Sequence, residues 1–145
     1  MYKLQFELVP DGCWYQNLRS ALPKEVWDKL RKDAYARAKG KCSICERATV
    51  RLEAHERWSY DEQRALQKLE AVIAVCPNCH EVIHVGRAYL MGRGKEVEAW
   101  FMQVNNCTQA DFHGELGKAN ETHKRRNKID GWVTDISWLK TQLGK

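Results

Sequence analysis

The order of hydrophobic and polar positions along this 145-residue chain predicts its elements one after another. Tyr2 to Val9 alternates loosely, in the manner of a short strand. Leu22-Pro23-Lys24-Glu25 has the form of a helix start, entered from Ser20 or the proline turn. Val26, Trp27, Leu30, Ala34 and Ala38 then recur at helical spacing, and Gly40 closes the pattern as a C-terminal cap. From Thr49 to His55, Val50, Leu52 and Ala54 alternate with Arg51 and Glu53, which is the period of a strand. Glu56 to Glu62 reads as a polar and aromatic loop. Leu66 to Val75 opens with residues that suit a helix, but the β-branched residues before Cys76 favour a buried strand.

Pro77 to about His84 is expected as helix, with proline in its first turn, and Gly86, Gly92 and Gly94 loosen the stretch after it. Lys95 to Asn105 is an amphipathic helix whose apolar face is Val97, Trp100, Phe101 and Val104. Thr108 with Asp111 resembles a capping box, opening a long polar helix from about Gln109 to Asn127. Gly131 to Leu139 is a short closing strand or turn that docks Trp132 and Trp138.

Composition narrows the class. Hydrophobic residues are 43% and charged residues 30%, a globular and not a disordered balance. No apolar run approaches the roughly 20 residues that span a bilayer. The first residues lack the apolar core of a signal peptide, so the expectation is a cytoplasmic protein with no membrane segment, organised as a single domain over 1–145. Net charge is +5 and the pI about 8.9, compatible with a polyanionic partner. The basic stretches from Arg19 to Arg51 and from His123 to Lys128 are either solvated helix faces or phosphate contacts.

Four of the six cysteines form two pairs, Cys42-Ser-Ile-Cys45 and Cys76-Pro-Asn-Cys79. A repeated C-x-x-C in a cytoplasmic protein points to a metal, because two intervening residues let both thiolates reach one tetrahedral ion. Together the four make a closed structural zinc site. His80 and His84, four apart on a helix, share one face and suit one metal. His55, at the end of the predicted strand, supplies a third ligand, and three protein ligands leave positions for water and phosphate. A partition into one Cys₂His₂ site, Cys42, Cys45, His80 and His84, strands Cys76 and Cys79 and is disfavoured. His113 and His123 read as surface residues, and Cys13 and Cys107 as small buried hydrophobes.

Across Lys41 to Gly86 these motifs resemble the HNH (ββα-metal) endonuclease superfamily, in the subgroup with two zinc-binding CxxC knuckles. The resemblance implies an α+β fold: a small zinc-stapled ββα-metal core at 41–86, a strand and helix extension at 1–40 and a helical extension at 95–145. It implies an enzyme that hydrolyses DNA phosphodiester bonds, with RNA as a further partner. By residue-for-residue match, Cys42, Cys45, Cys76 and Cys79 hold the structural zinc. His55, His80 and His84 hold a catalytic divalent metal (Mg, Mn, Ni or Zn). Two positions depart from the pattern: Glu56 stands where the general-base histidine is expected, and Ala71 where a central asparagine is expected. A carboxylate is the weaker base near neutral pH, but Glu56 there would accept a proton from water or bind the metal itself. The other register makes His55 the base and puts Ala54 at a ligand position.

Arg51, Arg57, Lys124, Arg125, Arg126 and Lys128 are then the candidates to grip phosphates, with the aromatic segment around Trp58 and Tyr60 reading groove shape. The departures and the tryptophans leave two rival readings open. One is a catalytically degenerate zinc module binding nucleic acid or a protein partner. The other is a protein-directed adaptor anchored by Trp132 and Trp138, against which stands burial of both rings in the core.

Overall fold

The structure, a computed structural model, describes residues 2–13 and 17–143. In chain order it forms a 3-10 turn (Asp11–Cys13), helices α1 (Leu18–Ala21) and α2 (Lys24–Ala38), and strands β1 (Glu53–Asp61) and β2 (Leu66–Val75). Helices α3 (Pro77–Ile83), α4 (Val85–Leu90), α5 (Gly94–Asn105) and α6 (Gln109–Asn127) come next, then strand β3 (Val133–Asp135) and helix α7 (Trp138–Leu143). The class is α+β, with one small sheet among helices. Among the described residues no helix is long and apolar enough to cross a membrane.

β1 and β2 are an antiparallel hairpin, and β3 adds in parallel along Leu66 to Lys68. The hairpin separates two apolar cores, because successive strand residues point to opposite faces. Val72 and Ala74 join Leu18, Leu30, Ala34 and Leu139 on the α2 side. Val75, with Ile73 beside it, joins Leu4, Val82, Ile83, Val97, Phe101 and Phe112 on the other. The register shifts at Arg57/Trp58: Arg57 pairs with Ala71 but Trp58 with Leu69. That bulge skips Glu70 and lets Leu69 face the α2 side with Val72.

Strand β1 runs through the segment expected as a loop, Glu56 to Glu62, and begins at Glu53, not Thr49. Backbone pairing explains both shifts. Glu56 to Asp61 has partners in β2, whereas Val50 is fully exposed with no strand beside it. The connecting turn contains no glycine. The Asp61 carboxylate accepts from the N–H groups of Gln63 and Arg64 at 3.0 and 3.1 Å, and Ala65 takes the left-handed conformation (φ 51°).

Tyr2 to Val9 is an extended strap and not a strand. The Asn105 side chain pairs with both backbone groups of Leu4, at 3.0 and 2.9 Å. The Glu7 N–H donates to the Ile83 carbonyl at 2.9 Å, and Phe6 stacks on Phe101. Gly86 lies inside α4, not in a loosened segment. The capping box of α6 is present, with Thr108 and Asp111 bonded reciprocally.

Candidate metal centres

Two clusters of ligand atoms flank the first turn of α3. Cys42 and Cys45 come from a knuckle after α2, closed by the Cys42 N–H on the Arg47 carbonyl at 3.0 Å and pinned to β2 by the Ser43 N–H on the Ala74 carbonyl at 2.9 Å. Cys76 follows β2 and caps α3, its sulfur accepting from the Cys79 N–H at 3.4 Å. The four Sγ atoms lie within 4.8 Å of one another and all four residues are buried. Cys45 and Cys76 sulfurs are 3.9 Å apart. That is too long for a disulfide. It matches the roughly 3.8 Å edge of a tetrahedron with metal–sulfur bonds of about 2.3 Å.

Two further N–H groups point at the sulfurs. The Ile44 N–H points at Cys42 Sγ (3.4 Å) and the Trp100 indole N–H at Cys79 Sγ (3.3 Å). Contact between Cys42 and Cys79, with backbone N–H groups on Cys42, lowers the Cys42 thiol below its ordinary range and raises that of Cys79. The Arg47 guanidinium sits 4.6 Å over the Trp100 ring and adds positive charge nearby. The donor set fits a structural zinc.

The second cluster is His55, His80 and His84, with one ring nitrogen from each within 4.8 Å of the others. Ring centroids are 5.4, 5.5 and 4.9 Å apart. Pairing of His55 with Ile73 turns its side chain to the sheet face on which α3 packs, and only 4% of it is exposed. His80 lies in the first turns of α3, and His84 is the break between α3 and α4 (φ −97°, ψ 53°). Burial, then the neighbouring His80 and His55, lowers the pKa of His84 to about 4. It is therefore neutral at pH 7 with a lone pair free, as metal binding requires.

Each of two imidazoles has a carboxylate on one nitrogen. Glu53 Oε1 is 2.8 Å from His80 Nδ1, and Glu7 Oε2 is in close contact with His55 Nε2. Arg51 holds the other Glu53 oxygen at 3.0 Å. Sequence reading missed both acids. Glu53 had a signal, since it precedes His55 by two residues on a strand and so shares its face. Glu7 had none, being 48 residues away.

Glu56 is not brought to the histidine cluster. It is the residue after His55 and points to the opposite sheet face, where its carboxylate accepts the Leu18 N–H at 2.7 Å. Burial raises its pKa there. Ala54 also faces away, into the α2-side core. Ala71 pairs with Arg57 in the sheet and has no polar group to give.

The basic candidates separate. Arg125 and Arg126 both bind Glu62 in the hairpin turn, Arg125 at 2.5 and 2.8 Å and Arg126 at 3.3 Å. Arg126 also lies 4.9 Å over the Tyr60 ring. These two arginines latch α6 to the hairpin. Lys124 pairs with Glu121 at 3.8 Å, while Arg57 and Lys128 are exposed. Tyr60 packs edge-on against buried Trp132, and Trp58 and Trp138 pack on the α2-side core, so none of these rings is a free anchor.

Beside the histidine cluster runs a groove of about 860 Å³ between α2, the start of β1 and α4, with His80 in its wall. Arg19, Lys24, Arg31, Arg51 and Arg87 line it against two acids, Asp28 and Glu53. Lys24 and Arg31 bind Asp28 at 3.0 Å each, whereas Arg19 and Arg87 have no ion-pair partner among the described residues. No family model, curated protein or solved structure matches the chain.

Proposed function

We propose that this chain is a metal-dependent phosphodiesterase of the HNH type, cutting DNA at the histidine cluster. The observation that carries the reading is the convergence of His55, His80 and His84, of which His80 reaches the wall of a cationic groove. His55, His80 and His84 would hold a divalent ion, which would supply Lewis-acid charge and make bound water more acidic. The chain's own groups do the rest. Arg19 and Arg87, without an ion-pair partner among the described residues, attract the phosphate backbone into the groove. Arg51 neutralises Glu53 at its mouth, so the acid that orients His80 does not repel the substrate. His55, 4% exposed, is shielded from bulk water by the strap that carries Glu7. Glu56 takes no part as a base, because its carboxylate is held on the Leu18 N–H across the sheet.

The test is supercoiled plasmid incubated with the purified protein in Mg²⁺, Mn²⁺, Ni²⁺ or EDTA, beside His80→Ala matched for zinc. Metal-dependent nicking that His80→Ala abolishes is expected. Absence of nicking in every metal, from folded zinc-loaded protein, removes the enzyme reading. The second reading is a zinc-stapled module that binds nucleic acid without cutting it. It draws on the use of Glu56 as a structural group and the lack of any polar group at Ala71. DNA affinity without cleavage favours it.

A further inference from the structure

We infer that Glu7 and Glu53 are positioning residues of the histidine centre, each fixing the tautomer of one imidazole so that its other nitrogen is free for a shared ion. This rests on the metal-centre reading above and deepens it. His80 has two ring nitrogens, and Nδ1 is engaged by Glu53 Oε1 at 2.8 Å. A carboxylate only accepts, so Nδ1 carries the proton and Nε2 keeps the lone pair. His55 has the opposite arrangement: Nε2 is engaged by Glu7 Oε2, so the lone pair is on Nδ1.

The two acids arrive by different routes, which argues for a built arrangement. Glu53 is local, two residues before His55 on β1. Glu7 comes from the far end of the chain, on a strap held by three separate contacts. The Asn105 side chain takes both backbone groups of Leu4, Phe6 stacks on Phe101 at 4.9 Å, and the Glu7 N–H donates to the Ile83 carbonyl. Ile83 is the residue before His84, so the strap that brings the carboxylate to His55 also grips the backbone next to the third imidazole. The N-terminal strap is thereby part of the metal centre.

The experiment uses the full chain with zinc in the cysteine centre and Co²⁺ titrated as the second ion. Wild type, Glu7→Ala, Glu7→Gln, Glu53→Ala and His84→Ala are compared by calorimetry, with zinc content and circular dichroism as controls for folding. Long-range ¹H–¹⁵N spectra of the cobalt-free protein report which nitrogen of each histidine is protonated. The expected result is proton on Nδ1 of His80 and on Nε2 of His55. Second-ion affinity should fall on the order of 10–100-fold in Glu7→Ala and Glu53→Ala. Glu7→Gln, which keeps an acceptor oxygen, should fall less. Unchanged affinity in both alanine variants, or the reverse tautomers, overturns the inference while the centre stands. A wild-type chain that binds no second ion, or one whose second ion survives His84→Ala, overturns the centre reading and this inference with it.

Discussion

Cys79 and His80 are consecutive residues in the first turn of α3, and they serve different clusters. Cys79 Sγ lies among the four sulfurs, and the His80 ring lies among the three imidazoles. Adjacent helical residues point about 100° apart, which lets one short turn divide two sets of donors. The helix itself is only seven residues, too short to be stable without packing and the cysteine cluster. We therefore expect the order of the histidine centre to depend on the cysteine centre more than the reverse, since Cys42 and Cys45 come from a knuckle outside α3.

This asymmetry predicts what metal removal does. Stripping zinc with a strong chelator, or Cys79→Ser, should lower the melting temperature sharply and abolish binding of a second ion. His80→Ala should keep zinc and lose only the second ion. Melting by circular dichroism with metal analysis checks both. Coincident melts with and without zinc would remove the cysteine cluster from the account of stability.

If the proposed function holds, the contacts of the arginines predict how DNA binding would depend on salt. Each lost phosphate contact lowers the slope of log affinity against log salt by about 1. Arg19→Ala with Arg87→Ala should therefore flatten the slope by about 2. Arg125→Ala with Arg126→Ala should leave it nearly unchanged, because both side chains are engaged by Glu62. Their loss acts on the latch between α6 and the hairpin, a contact that solvent largely screens on the Arg125 side. Fluorescence anisotropy over a salt series separates the two pairs, and the opposite ranking would move the DNA path to α6.

Glu56 gives a test of the structural role assigned to it. Glu56→Ala leaves the buried Leu18 N–H without its acceptor, which costs about 1–3 kcal/mol. Second-ion affinity should not change, since the carboxylate lies across the sheet from His55. Urea unfolding and metal titration read the two effects independently. A loss of second-ion affinity with little loss of stability would put Glu56 back at the centre.

The parts of the site legible from sequence were those carried by local spacing. C-x-x-C twice and His four residues after His80 announce their geometry, because a turn and a helix fix where neighbours point. The extent of β1 was not legible, because its turn is made by the Asp61 side chain and Ala65 without a glycine signal. The face occupied by Glu56 is set by strand period once β1 is known, so misreading the loop also misplaced the residue. Glu7 and the groove arginines Arg19 and Arg87 meet the site only through tertiary packing, which no local pattern encodes.

His84 carries the remaining prediction, on pH. Burial, then His80 and His55, lowers its pKa to about 4 from an ordinary value near 6.5. Between those values the unfolded chain takes up a proton that the folded chain refuses, so stability falls as pH falls through that window. From about pH 7.5 upward the residue is neutral in both states and adds almost nothing. With only the cysteine centre loaded, the wild type should lose about 1 kcal/mol relative to His84→Gln between pH 7.5 and pH 5.5. The zinc contribution is common to both chains and cancels in the difference. Chemical denaturation at the two pH values measures it. A constant difference would mean that His84 is protonated as easily in the fold as outside it, and that the centre is open to water rather than closed around its three imidazoles.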